Sequence, residues 1–289
     1  LLSYKNHPKV SHCIINEKNS GSTFYQWNKG IELAKGELVW IAESDDVADL
    51  SFLDKLVKPF LENSKLVLAY SQSYRMDSKG NITGSWKDHT DDLDSKRFEE
   101  NFTMTGLDYV DQFLVVRNTI PNASAVLFKK HTYFVVNGAN PNLKLTGDWE
   151  IWSKIVSQGN IFFNAEKLNF FRYHDSSVIA KAKNMKSNLS LRNQVIEFRQ
   201  LIATYWKNFP QNKNILTIQK KNKKYLFKEI NRNSSLAIRK RHYTEIIPTT
   251  IQTIQNFPAY LLPFIITKLL IKLIYSIFID APLKAIFHK

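Results

Sequence analysis

The chain has a single cysteine in 289 residues, Cys13. No disulfide can form within it, which excludes a disulfide-stapled fold and fits a reducing compartment. Cys13 lies in the apolar run 10–15 and reads as a small buried hydrophobe. Acidic residues are scarce in one part only. Residues 1–180 hold 20 Lys and Arg against 22 Asp and Glu, a balance of −2, whereas residues 181–289 hold 20 against 4, a balance of +16. So one-sided a C-terminal third points to an anionic partner, either a membrane surface or nucleic acid. No recognised nucleic-acid motif accompanies those charges, which argues against nucleic acid. No signal peptide opens the chain. Leu1 is not an initiator methionine, and the first residues read as the tail of a helix already under way, so a fragment or truncated reading frame is expected. Apolar material is plentiful: 44% hydrophobic and 13% aromatic residues suffice for one large domain with appendages.

The densest pattern lies in residues 16–46, NEKNSGSTFYQWNKGIELAKGELVWIAESDD. Ser22 and Thr23 are placed to cap a helix. Trp27, Ile31 and Ala34 recur at helical spacing, and Gly36 is placed to end the helix. Residues 38–42 form a short apolar run rich in strand formers. Glu43, Ser44, Asp45 and Asp46 follow at once. In open α/β sheets ligands bind beyond the carboxyl ends of strands. Carboxylates crowded there repel one another unless a cation or donors neutralise them, and a hard divalent ion already carrying phosphate oxygens suits them.

This segment resembles the family-2 glycosyltransferases of the GT-A fold. Asn19 with Gly21, Asn28 with Gly30, Ala34 with Gly36 and Glu37, then Glu43-Ser44-Asp45-Asp46 follow that family's ordered pattern, which closes in a DXD-type motif. The first acid is Glu43 rather than Asp, leaving Asp45 as the better metal ligand. The resemblance implies an α/β, GT-A-like nucleotide-diphospho-sugar transferase fold with a mostly parallel sheet, followed by a C-terminal helical region. It implies donor contacts at Asn19, Gly21, Asn28, Glu43, Asp45 and Asp46, and Mn or Mg as cofactor. Relatives open with a strand–helix–strand unit that cradles the nucleotide, and nothing in this sequence matches it.

Further along, residues 50–61 read as an amphipathic helix, 66–70 as a strand and 77–81 as a turn. Residues 87–100 read as a mobile surface loop with solvated Asp91, Asp92 and Asp94. Residues 106–115 read as a helix, and 118–122 as a turn into a strand at 124–128. The resemblance places that turn at the acceptor pocket, hence Asn118 and Asn122; turn-forming asparagines are an equal reading. Gly147-Asp148-Trp149 opens a helix with Trp149, Trp152, Ile155 and Val156 at core spacing. Asp148 is either a helix cap or, as the resemblance implies, the catalytic base, with Trp149 beside the acceptor. Strands are expected at 160–164 and 168–173, ending in Arg172-Tyr173-His174. The resemblance makes Arg172 a donor-phosphate contact and His174 a metal ligand beside Asp45 or a diphosphate contact; a structural histidine is an equal reading.

Beyond residue 184, apolar residues from Leu189 to Phe209 suggest an amphipathic helix, followed by basic clusters at 220–224 and 239–241. The expected organisation is a catalytic domain over 1–180 that lacks its first unit, a basic helical region over 181–256, and a membrane-associating tail over 257–289. In that tail residues 264–279 give about 24 Å of helix, short of a hydrocarbon core of about 30 Å. Lys268, Lys272 and Ser276 form one polar stripe, so a helix lying in the membrane interface is expected. The implied function is sugar transfer, with inversion, from a nucleotide-diphosphate donor to a glycan or lipid-linked acceptor. The setting is the cytoplasmic face of the membrane, as in bacterial surface-polysaccharide assembly, with peripheral or monotopic attachment. The alternative is a non-catalytic membrane-associated relic or scaffold.

Overall fold

A computed structural model describes residues 2–120, 122–173, 189–239 and 274. The chain divides into two compact units, Leu1–Tyr173 and His174–Lys289.

The first unit is a mixed α/β layer structure. Helix α1 (Thr23–Leu33) buries Phe24, Trp27 and Ile31 along one face. Ser22 sits at its N-cap position in extended backbone, but its hydroxyl makes no capping bond. Strand β1 (Leu38–Trp40) is shorter than expected. Strand β2 (Val47–Ala48) follows the acidic run, and α2 (Phe52–Glu62) buries Phe52, Leu56 and Phe60. Next come β3 (Leu66–Met76), β4 (Ile82–Ser85), β5 (Phe102–Thr105) and α3 (Gly106–Tyr109), which runs into a π-helical turn, Val110–Leu114. Strand β6 (Val126–Lys129), α4 (Lys130–Val135), α5 (Gly147–Val156) and β7 (Asn160–Arg172) complete the unit.

The sheet order is β1-β6-β3-β7-β2, with β4 on β3 and β5 on β7. Only β3 and β7 pair in parallel; the other pairings are antiparallel. The α/β class is as expected, but the mostly parallel sheet is corrected. The crossover through α2 does leave β1 and β3 running the same way. Strand β6 inserts between them, antiparallel to both. A tight turn at Asp77–Asn81 adds β4 as a hairpin, which needs no crossover.

Two other expectations are corrected. Residues 160–172 form one strand rather than two. Its register slips where Ser71 faces Asn164 and Gln72 faces Lys167, so Ala165 and Glu166 bulge out. Their polar surroundings read as a turn in the sequence. The 87–100 segment is folded: Phe98 is buried, Asp92 pairs with Arg117 at 2.6 Å and Asp88 with Arg75 at 2.8 Å. Asp94 accepts from the backbone N–H groups of Lys96 and Arg97.

Every residue of α5 except Asp148 is buried. Trp152 lies between Trp27 of α1 and Phe128 of β6, with ring centroids 5.8 and 5.6 Å away. Glu150 and Lys154 are buried as an ion pair at 2.8 Å. A Cβ at Gly147 would fall 2.4 Å from the Phe24 ring, so glycine is what lets the start of α5 approach α1.

In the second unit α6 (Leu189–Lys207) packs with α7 (Lys213–Arg239). Ile196, Leu226 and Ile230 form a core cluster. Arg199, 2% exposed, donates to Asn222 Oδ1 at 3.1 Å, and Asn222 returns a bond to the Arg199 carbonyl. Among the described residues no helix is long and apolar enough to cross a membrane. The tail, apart from Ile274, lies outside the described residues, as does the cluster at 239–241 beyond Arg239.

Candidate active site

Beyond Trp40 the chain leaves β1 and the acidic run turns its carboxylates in different directions. Glu43 points inward: its Oε1 accepts from Trp27 Nε1 at 3.1 Å, and its backbone N–H donates to Ser124 Oγ. Asp46 also points inward. Its Oδ2 accepts from Asn122 Nδ2 at 2.6 Å and its Oδ1 from the Arg172 backbone N–H at 2.9 Å. Asp45, between them, is exposed. Burial raises the carboxyls of Glu43 and Asp46 above their ordinary values, the hydrogen bonds oppose this, and the neighbouring acids add to it.

This arrangement bears on the expected Mn or Mg. An exposed carboxylate flanked by two that are hydrogen-bonded to the protein suits a hard dication held by one or two protein oxygens and by substrate phosphates. Among the described residues no group of three or more His, Cys, Asp or Glu side chains forms a self-sufficient metal site. His174, the expected second ligand, lies outside the described residues.

Arg172 ends β7 beside this cluster. Its Nε donates to the Asp45 carbonyl at 2.7 Å and its Nη1 to the carbonyls of Asp77 and Ser78. It thus ties the acidic strand end to the β3–β4 turn, a role the sequence does not announce.

The second half of the site is the start of α5. Asp148 follows Gly147 in the first turn; Thr146 occupies the cap position, so Asp148 is not the cap. Its Oδ1 accepts from the Trp149 backbone N–H at 2.7 Å and its Oδ2 from Asn118 Nδ2 at 2.9 Å. Burial pushes its carboxyl up to about 6, against the pull of hydrogen bonds from the Trp149 N–H, its own backbone N–H and Asn118. Asn118 is itself held. Its Oδ1 accepts from the Ile120 N–H, and its carbonyl accepts from His89 Nε2 at 3.1 Å. Burial lowers the His89 pKa, which favours the neutral ring with its proton on Nε2. Arg117 fastens the same stretch to the His89 carbonyl and to Asp92.

One turn therefore reaches both halves: Asn118 holds Asp148 and Asn122 holds Asp46. The structure brings together Glu43, Asp45, Asp46, Asn122 and Arg172, and separately Asn118 with Asp148. Asn19 accepts from the Gly21 N–H, with Gly21 at φ 77, so this pair shapes the turn before α1. Asn28 is occupied elsewhere. Its Nδ2 donates to the Ala139 carbonyl, and its Oδ1 accepts from Tyr133 and from the Ala139 N–H. Trp149 is 8% exposed and donates to the Leu114 carbonyl, which places its indole in the core rather than against an acceptor. Sequence reasoning missed Trp27, Ser124 and His89. Trp27 was legible only as a core residue, and the other two carry no local signal.

Residues 1–124 match the sequence profile described as glycosyl transferase family 2. The resemblance carried by residues 16–46 is therefore shown over a stretch that includes the acidic strand end and the 118–122 turn. Asp148 and Arg172 lie beyond it. No curated protein sequence matches the chain. Among solved structures the chain is similar to the S. aureus TarS 1–349 crystal structure. The TM-score is 0.59 at 15% identity, covering 90% of this chain and 70% of that one. That likeness is one of fold.

Proposed function

We propose that this chain is a glycosyltransferase that moves a sugar from a nucleotide-diphosphate donor to an acceptor hydroxyl, with inversion, in cell-surface polysaccharide synthesis. The observation that carries the reading is Asp148: the one residue of α5 that reaches solvent, with its carboxyl raised to about 6. Such a group is ionised at neutral pH yet basic enough to accept a proton from an attacking hydroxyl. The donors from Asn118 and the Trp149 N–H orient the carboxylate.

In the proposed reaction the acceptor oxygen bonds to the donor's anomeric carbon as the bond from that carbon to the diphosphate breaks. The acceptor proton passes to Asp148. A carboxylate base acting on the acceptor hydroxyl suits one in-line displacement. Asp45 is the residue placed to meet the dication. Mn or Mg, when bound, supplies positive charge to the departing diphosphate. Glu43 and Asp46 set the backbone that carries Asp45, through Trp27, Ser124 and Asn122. The acceptor is a glycan or a lipid-linked saccharide. The apolar, lysine-striped sequence of residues 257–289 supports work at the cytoplasmic face of a membrane, peripherally or monotopically.

The test is release of nucleoside diphosphate from a panel of nucleotide-diphosphate sugars, with Mn or Mg and with chelator. Metal-dependent release by the protein, lost in Asp148→Asn, is expected. Equal donor consumption by both proteins would rule out Asp148 as the base, and no consumption of any donor would favour the non-catalytic scaffold.

A further inference from the structure

The second unit carries the most uneven charge in the protein. Residues 189–239 contain eleven Lys and Arg and two acids, Glu197 and Glu229. The helices divide that charge unequally. On α6 the exposed residues include Glu197, Leu201, Thr204 and Lys207, which balance. On α7 the buried side holds Ile215, Ile218, Asn222, Leu226, Ile230 and Asn233. The opposite side is a stripe of exposed lysines, Lys213, Lys220, Lys224 and Lys228. Their spacings of seven, four and four residues put them on one line about 22 Å long.

Glu229, the sole acid of α7, is engaged by Arg192 at 3.4 Å and Arg232 at 3.1 Å. Lysines spaced four apart repel one another within a helix, so solvation alone does not favour this pattern. An acid set among them, as Glu197 is on the exposed side of α6, would relieve the repulsion. Leu216, on the flank of the stripe, is 58% exposed. Tyr225 and Phe227 on this helix are half-buried, so α7 offers no row of open aromatic faces for stacking bases.

We propose that the Lys213–Lys228 face of α7 is a contact surface for the anionic headgroups of a lipid leaflet. A straight stripe matches a planar field of mobile negative charges. Leu216 beside it supplies an apolar side chain at the depth where headgroups meet acyl chains. The inference rests on the reading that the protein works at a membrane, and it identifies which folded surface makes the electrostatic part of the contact.

The test uses the full chain with phosphatidylcholine vesicles, with and without phosphatidylglycerol. Lys220→Gln, Lys224→Gln and Lys228→Gln together should weaken binding to the anionic vesicles by roughly 100-fold at low salt, about fivefold per lysine. High salt should shrink the difference between variant and parent. Lys207→Gln on α6 should change binding much less. Circular dichroism and a thermal melt check that the helices persist, and Lys224→Glu alone provides a milder second variant. If the parent binds anionic vesicles and both variants bind equally well, this inference is wrong while the membrane reading stands. If the parent ignores anionic vesicles, both fail. Tighter salt-sensitive binding to polyphosphate or single-stranded DNA than to vesicles would assign the stripe to a polymer and overturn the proposal.

Discussion

Asn118 donates from Nδ2 to Oδ2 of Asp148 at 2.9 Å, and its own carbonyl is held by His89. A turn residue expected to touch the acceptor instead orients the candidate base. Hydrogen bonds to the charged form lower a carboxyl pKa, so Asn118 keeps Asp148 from rising further. Asn118→Ala is therefore expected to move the acidic limb of the pH–rate profile upward by about one to two units, the scale of a bond to a charged group. Turnover should fall more at pH 6 than at pH 8. A profile with an unmoved limb would deny Asn118 this role.

Asp148→Asn keeps the size of the side chain and an oxygen for the Trp149 N–H. Turnover is expected to drop by at least ~100-fold with donor binding retained. Stability should move the other way. The folded carboxyl titrates near 6, above its ordinary 3.8, so between those values the folded state holds a proton that the unfolded state has released. Stability from this group is therefore full below about pH 4 and is lost as pH rises through 6. Between pH 4 and pH 7.5 the parent should lose more stability than the Asn variant by an amount on the order of 1–3 kcal/mol. Denaturant melts at both pH values would read this directly.

Asp45→Ala separates metal binding from folding. The side chain is exposed, so stability should change by no more than about 0.5 kcal/mol. Calorimetric binding of a nucleotide-diphosphate sugar should lose its dependence on Mn or Mg. Asn122→Ala, by contrast, removes the partner of half-buried Asp46 and is expected to cost about 1–3 kcal/mol. An Asp45→Ala protein with unchanged metal-dependent binding would move the metal elsewhere.

Gly147→Ala probes the approach of α5 to α1. The new Cβ would meet the Phe24 ring at 2.4 Å, so the ring or the helix start must shift. A cost of about 1–3 kcal/mol is expected, with loss of turnover because Asp148 is the next residue. Phe24→Leu in the same protein should recover part of both. Recovery of stability without recovery of turnover would show that the helix start itself stays displaced.

The elements legible in the sequence were those with a local signature. The face of α1, the amphipathic α2, the strand of β1 and the acidic run all announce themselves within about ten residues. Asp148 stood out through its position at a helix mouth. The pairings that assemble the site are long-range: Glu43 with Ser124, Asp46 with Asn122, Asn118 with Asp148. Nothing local encodes them, and so Asn118 and Asn122 read as turn formers or acceptor contacts. The same limit hid the insertion of β6 between β1 and β3. The bulge in β7 misled for the opposite reason, since Ala165, Glu166 and Lys167 are poor strand formers inside a continuous strand.

Burial of nine of the ten residues of α5 has a dynamic consequence. Backbone amides of a helix enclosed in this way open only when much of the surrounding unit opens, so they should exchange with solvent deuterium among the slowest in the protein. The candidate base, Asp148, is then anchored to the part of the fold that breathes least. The loop segments around it are expected to exchange faster by orders of magnitude.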